Sequence, residues 1–145
     1  MNDAHRKSYL PFLMLQFVLF LAMLLFVVFL LPGAWNPRRF LGLAIMIIGA
    51  ILLFTARFQL GNSFAVTPQA RELVTHGLYS KIRNPIYVFS SLLVLGLFIV
   101  IGRPYLFVIL ALLLVLQTFR AHKESQVLEA KFGEQYREYR RHTWF

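Results

Sequence analysis

The 145-residue chain contains no cysteine. Disulfides, thiolate metal sites and cysteine nucleophiles are therefore excluded. Acidic residues are scarce: six Asp and Glu stand against fifteen Lys and Arg, for a formal net charge of +9. The four histidines, His5, His76, His122 and His142, show no HExxH or other metal-ligand spacing, so no metal site is expected. Charge of either sign is missing altogether from Tyr9–Leu31, where Gln16 is the only amide side chain. At about 1.5 Å per residue that run crosses roughly 30 Å of hydrocarbon. Its apolar core is too long for a signal peptide and no small-x-small cleavage pattern follows, so a retained span is expected.

What is present is mostly apolar. Hydrophobic residues make up 59% of the chain, against about 45–50% in soluble domains, and the mean hydropathy is +0.65. Four apolar segments stand out, at about 9–31, 40–58, 86–101 and 104–119. The last three are short for spans, so their ends should reach the interface. Only Gly102-Arg103-Pro104 separates the third from the fourth, which demands an antiparallel helical hairpin. Four spans with both termini cytoplasmic place twelve of the fifteen basic residues inside, as the positive-inside bias requires. Arg38, Arg39 and Arg103 fall on the other side. In such a chain the positive charge serves topology and anionic headgroups, so membrane lipids rather than nucleic acid are the expected partners. Gly42 and Gly49 could permit close helix contact, without the four-residue small-residue spacing, and the oligomeric state is left open.

The expected fold is thus all-α: a single-domain polytopic membrane protein, residues 1–145, with about four transmembrane helices and a cytoplasmic amphipathic C-terminal helix at 120–142. Two polar regions share one membrane face, a loop at 59–85 and that C-terminal helix. In the loop, Gly61-Asn62-Ser63 signals a turn, and Phe64–Val66 fits a short extended piece. Thr67 and Pro68 suit the start of a short helical turn. Asn84 is a candidate cap for the third span and Pro85 its first residue. Free N–H groups there, beside Arg83, favour a negative ligand group. Beyond the fourth span, Leu128, Phe132, Tyr136 and Tyr139 fall on one helical stripe. That helix is expected on the membrane surface or packed over the loop. Glu124 lies about one turn past the span, where a carboxylate can face the polar turn at 76–85. Arg83, Glu124, Tyr79 and Tyr87 together suit a zwitterionic ligand with a positive centre, the aromatic faces adding about 0.5–2 kcal/mol of cation–π attraction.

The stretches "LGNSFAVTPQARELVTHGLYSKIRNPIY" and "ESQVLEAKFGEQYREY", in this order on either side of a helical hairpin, resemble the signature of the isoprenylcysteine carboxyl methyltransferase-like family of integral-membrane methyltransferases, related to the phospholipid methyltransferases. The resemblance covers roughly residues 57–140. It implies S-adenosyl-L-methionine as methyl donor, bound at the cytoplasmic face, and a lipophilic acceptor entering from the bilayer. Carried over by position, His76, Tyr79, Arg83, Asn84, Pro85 and Tyr87 line the cofactor pocket, Glu124 closes it, and Arg83 and Glu124 are the catalytic candidates. This chain departs from the pattern at four places. Asn84 stands for the usual His, Leu78 for the Pro after Gly77, Ser125 for the second acid, and Val88 for a small residue. A carboxylate acceptor of a prenylated or lipid-like substrate is favoured over a phospholipid amine, because a carboxylate is already ionised at neutral pH. Two other readings compete. One is a membrane reductase of the sterol-reductase type using NADPH, although Val88-Phe89-Ser90 lacks the acidic residue expected after its motif tyrosine. The other is a non-catalytic basic membrane protein.

Overall fold

The computed structural model describes residues 3–30, 33–60 and 73–145. Every regular element among them is helical: α1 (Asp3–Leu25), continued by a π-helical turn at Phe26–Leu30, α2 (Pro37–Leu60), a 3-10 turn at Gly77–Ser80, α3 (Pro85–Ile101), α4 (Leu106–Phe132) and α5 (Glu134–His142). Among the described residues, three stretches are long and apolar enough to cross a membrane: Leu13–Leu30, α2 and α4. The 17-residue α3 is uncharged but only about 26 Å long, slightly less than the hydrocarbon thickness. The turn at Gly61-Asn62-Ser63, the extended piece at Phe64–Val66 and the Thr67-Pro68 helix start lie outside the described residues.

The densest packing joins α2 to α3. The buried positions of α2 include Gly42, Met46, Gly49, Leu53 and Ala56, which alternate four and three apart and therefore form one stripe. Two of its positions are glycines because the backbones meet there. A Cβ on Gly49 would lie 2.7 Å from the Leu93 amide nitrogen, and one on Gly42 would lie 2.8 Å from the Gly96 carbonyl. In a lipid-facing helix pair, close packing of this kind replaces the hydrophobic drive that water would supply. Gly42 and Gly49 thus serve a contact within the chain. Against α4, α3 offers a polar cluster instead. The Ser91 hydroxyl lies 2.6 Å from Gln117 Oε1, and Gln117 Nε2 donates to Ser90 Oγ at 3.1 Å.

Two of the three arginines expected on the sparsely charged side have local work. Arg39 is buried and donates to the Gly33 carbonyl at 2.7 Å, while Asn36 Oδ1 accepts from the Arg39 amide and caps α2. Arg38 reaches the Gly102 carbonyl at the end of α3. Both guanidiniums tie loop carbonyls to α2, so their position reflects helix-end satisfaction.

Two boundaries differ from expectation. The fourth apolar segment starts at Leu106, since Pro104 lies in the turn whose carbonyl accepts from Phe107. And there is no separate helix at 120–142. α4 continues unbroken to Phe132, because nothing in Arg120–Lys131 breaks a helix: the charges end the apolar surface, not the hydrogen-bond ladder. The break comes at Gly133, whose φ of 52° is tolerated by glycine and strained for other residues.

Candidate functional site

Five pieces converge at one end of the bundle: the last turns of α2, the 3-10 turn, the start of α3, the charged half of α4, and α5 with its tail. The 3-10 turn is fixed to α2 by Gln59, whose Oε1 accepts from the Leu78 amide at 2.7 Å. This holds the Tyr79 side chain in the core with Leu53, Ala56 and Phe89. Asn84 occupies the cap position of α3 and Pro85 follows at its first residue. The Asn84 side chain makes no capping bond. Instead its backbone carbonyl accepts from the Tyr87 and Val88 amides, so the cap expected of the side chain is supplied by the main chain.

The N–H groups offered to an anion at this point are already engaged. The Arg83 amide donates to the Trp144 carbonyl at 3.2 Å and the Asn84 amide to the Phe145 carbonyl at 3.0 Å, while the Trp144 amide donates back to Lys81. The tail thus lies parallel to the loop, with a bridge between Ile82 and Trp144. α5 supports this strap from above. Tyr136 is 1% exposed, and the Tyr139 hydroxyl donates to the Tyr79 carbonyl at 2.6 Å. Of the two expected placements of the C-terminal amphipathic helix, the structure shows packing over the loop. Nothing in the local sequence signals a pairing between segments some sixty positions apart, so the strap and Tyr139's contact are absent from the sequence reading.

Glu124 meets Tyr87. The phenol donates to Glu124 Oε2 at 3.2 Å, across α3 and α4. The other acids of this region serve the outer surface: Glu129 and Glu134 pair with Arg137, and Glu138 with Arg141 and His142. Glu124 has no ion pair within 4 Å among the described residues. Its carboxylate is largely withdrawn from water, and the Tyr87 hydroxyl and the Arg120 charge are the groups that offset that desolvation. A carboxylate in this setting has unspent attraction for a positive centre.

The tyrosines around it stay protonated. Burial raises the Tyr79 phenol well above its ordinary range, the charge of Glu124 and then Tyr139 push it further, and Arg57 opposes. Burial, with Tyr136 adding to it and Arg83 opposing, pushes the Tyr139 phenol up to about 12. Glu124 and Arg57 are thus near enough to Tyr79 to act on it electrostatically, as Arg83 is to Tyr139. The buried Tyr79 hydroxyl and Arg83 Nε have no hydrogen-bond partner among the described residues, a rare condition for buried polar atoms and one that a polar ligand relieves.

Of the sequence candidates, Tyr87 and Glu124 meet directly, the Tyr79 phenol feels the Glu124 charge, and Arg83 acts on Tyr139 by its charge. Pro85 is buried and starts the helix that carries Tyr87. Asn84 contributes through its backbone. The exposed His76 side chain makes no hydrogen bond among the described residues, and its carbonyl accepts from Tyr79. A cavity of about 510 Å³ lies elsewhere, between α1 and α2, lined by Leu13, Met14, Phe17, Val18, Phe54, Thr55 and Phe58. Its lining carries no titratable group.

Residues 37–135 match the family model described as phospholipid methyltransferase. No curated protein and no solved structure matches the chain.

Proposed function

The chain belongs to the phospholipid methyltransferase family, and on that premise we propose that it transfers a methyl group from S-adenosyl-L-methionine to a lipid acceptor at the cytoplasmic membrane face. The match spans α2 to the start of α5 and so covers both motifs of the resemblance up to residue 135. It favours methyl transfer over the nicotinamide-reductase reading and over a merely basic membrane protein. Four spans, with both termini cytoplasmic, keep the loop and the charged end of α4 on one face, where the donor is dissolved.

The observation that carries the reading is the desolvated Glu124 carboxylate bonded to Tyr87 beside the orphaned Tyr79 hydroxyl. S-adenosyl-L-methionine, when bound, supplies an electrophilic methyl on a positively charged sulfonium. The residues present fit it. Glu124 attracts the positive charge, Tyr79 and Tyr87 offer aromatic faces and hydroxyls, and Arg83 has a guanidinium suited to a carboxylate. The tail and α5 exclude water from one side, and alignment in a dry site is what an in-line displacement needs. A carboxylate acceptor requires no base. An amine must first lose a proton, and Glu124 is the group at hand, since His76 lies exposed outside the cluster.

Binding of labelled S-adenosyl-L-methionine to the purified protein tests this. Two unit charges about 5 Å apart at an effective dielectric of about 20 attract by about 3 kcal/mol, so Glu124→Gln, which removes the charge, should weaken binding roughly 100-fold. Arg83→Ala should weaken it as well. Undiminished binding in both variants removes the proposed site.

A further inference from the structure

Two helical turns deeper into the bundle than Glu124 lies a polar cluster that the methyl-transfer site does not use. Gln117 falls in a stretch of α4, residues 106–119, that carries no charge. It is seven residues before Glu124 and on the same helix face, at a separation of about 10.5 Å. On α3 the facing residues are Ser90 and Ser91, one turn past Tyr87. Tyr87 joins the two levels: its hydroxyl bonds Glu124, and its backbone carbonyl lies 3.0 Å from Ser90 Oγ and 2.9 Å from Ser91 Oγ.

The hydrogens in this cluster can be counted. Ser90 gives its one hydroxyl hydrogen to the Tyr87 carbonyl and accepts from Gln117 Nε2. Ser91 gives its hydrogen to Gln117 Oε1 at 2.6 Å or to the Tyr87 carbonyl. An amide nitrogen has two hydrogens, and among the described residues only one is spent. If the cluster served only to join α3 to α4, it would leave a surplus donor in an apolar surround, which is costly where no water can reach it. Gln117 is only half-buried, and the flanking Leu116 and Phe119 are exposed on the bilayer-facing surface. A lipid can therefore reach the spare N–H from the side.

We propose that Gln117, oriented by Ser90 and Ser91, is a subsite that binds the acyl-ester carbonyl of a glycerophospholipid acceptor. The inference rests on the proposed function, in which Glu124 is the group at hand to take the proton of an acceptor amine. From the terminal amine of such a lipid to its ester carbonyl carbon there are about nine bonds, or roughly 10 Å at the advance per bond of an extended chain. That equals the spacing from Glu124 to Gln117. A prenylated carboxylate offers only a thioether and hydrocarbon at that depth, and neither satisfies an amide N–H. The subsite thus selects the phospholipid form of acceptor over the prenylated form favoured from sequence.

The test compares two lipids with the same ethanolamine headgroup and chain length, one ester-linked and one ether-linked. Each competes with a spin-labelled phospholipid for the purified full chain in detergent. The wild-type protein should bind the ester lipid about fivefold more tightly, the worth of one neutral hydrogen bond. Gln117→Met, similar in shape and without the amide, should bind both alike, while Gln117→Asn should recover part of the preference. Equal binding by the wild type, or an ester preference that survives Gln117→Met, overturns the subsite. If Gln117→Met does not fold, the wild-type comparison alone decides. Because the readout is binding, an ester preference in a protein that transfers no methyl group overturns the enzymatic reading and leaves the subsite standing.

Discussion

Removing a single oxygen, by Tyr139→Phe, tests how the C-terminal strap is held. The Tyr139 hydroxyl bonds the Tyr79 carbonyl at 2.6 Å, and Tyr79 itself is 6% exposed. A hydrogen bond contributes about 0.5–1.5 kcal/mol net, and stranding a buried partner costs about 1–3 kcal/mol. Since Tyr79 is nearly buried, the upper range applies, and a loss of about 2 kcal/mol in the docking of α5 is expected. The loss is local. The α2–α3 seam, where most of the tertiary packing lies, is untouched, so the global melting temperature should move little. The Arg83 and Asn84 amides report the effect directly, because their acceptors are the carbonyls of Trp144 and Phe145. When the strap lifts, both amides exchange with solvent. Hydrogen exchange of the peptide covering 77–87 should therefore speed up about 10- to 30-fold, with the α2 and α3 interiors unchanged. Unaltered exchange at 77–87 would refute the claim that Tyr139 holds the strap. Acceleration across the whole protein would refute the claim that docking is separable from the core.

Two other substitutions test the remaining physical claims. Gly49→Val drives a side chain into the Leu93 backbone, where the first added carbon would lie 2.7 Å from the amide nitrogen. It should destabilise the protein by about 1–3 kcal/mol or more, seen as a lowered thermal-unfolding midpoint in detergent. Arg137→Ala breaks contacts to Glu129 and Glu134 on an arginine that is more than half exposed. Solvent and salt screen pairs this exposed, so melting and donor binding should both stay near wild type.

The helices and their order follow from composition alone. An uncharged run such as Tyr9–Leu31 or Pro85–Ile101 must satisfy its backbone internally in lipid, and a helix is the local way to do so. Pro85 and Asn84 mark the start of α3 because proline lacks the N–H that the first turn leaves over. The family, too, was legible, since its motifs are contiguous strings of residue types. The charge pattern misled at one point: Arg120 onward reads as a new surface helix, but charge alters a helix's solvent and leaves its hydrogen bonds intact.

What the sequence by itself determined is the set of apolar helices, the two polar segments and the residue types available for chemistry. Tertiary structure alone decided which of those residues meet. Gly42 and Gly49 face Gly96 and Leu93 only because α2 and α3 pack backbone to backbone. Tyr87 finds Glu124, and Ser90 and Ser91 find Gln117, only because the hairpin sets those turns at matching heights. The amides of Arg83 and Asn84 find the carbonyls of Trp144 and Phe145 only when α5 folds back over the loop. Local propensity acts over a few residues, whereas each of these contacts joins positions tens of residues apart and is stabilised by packing that exists once the whole chain has folded.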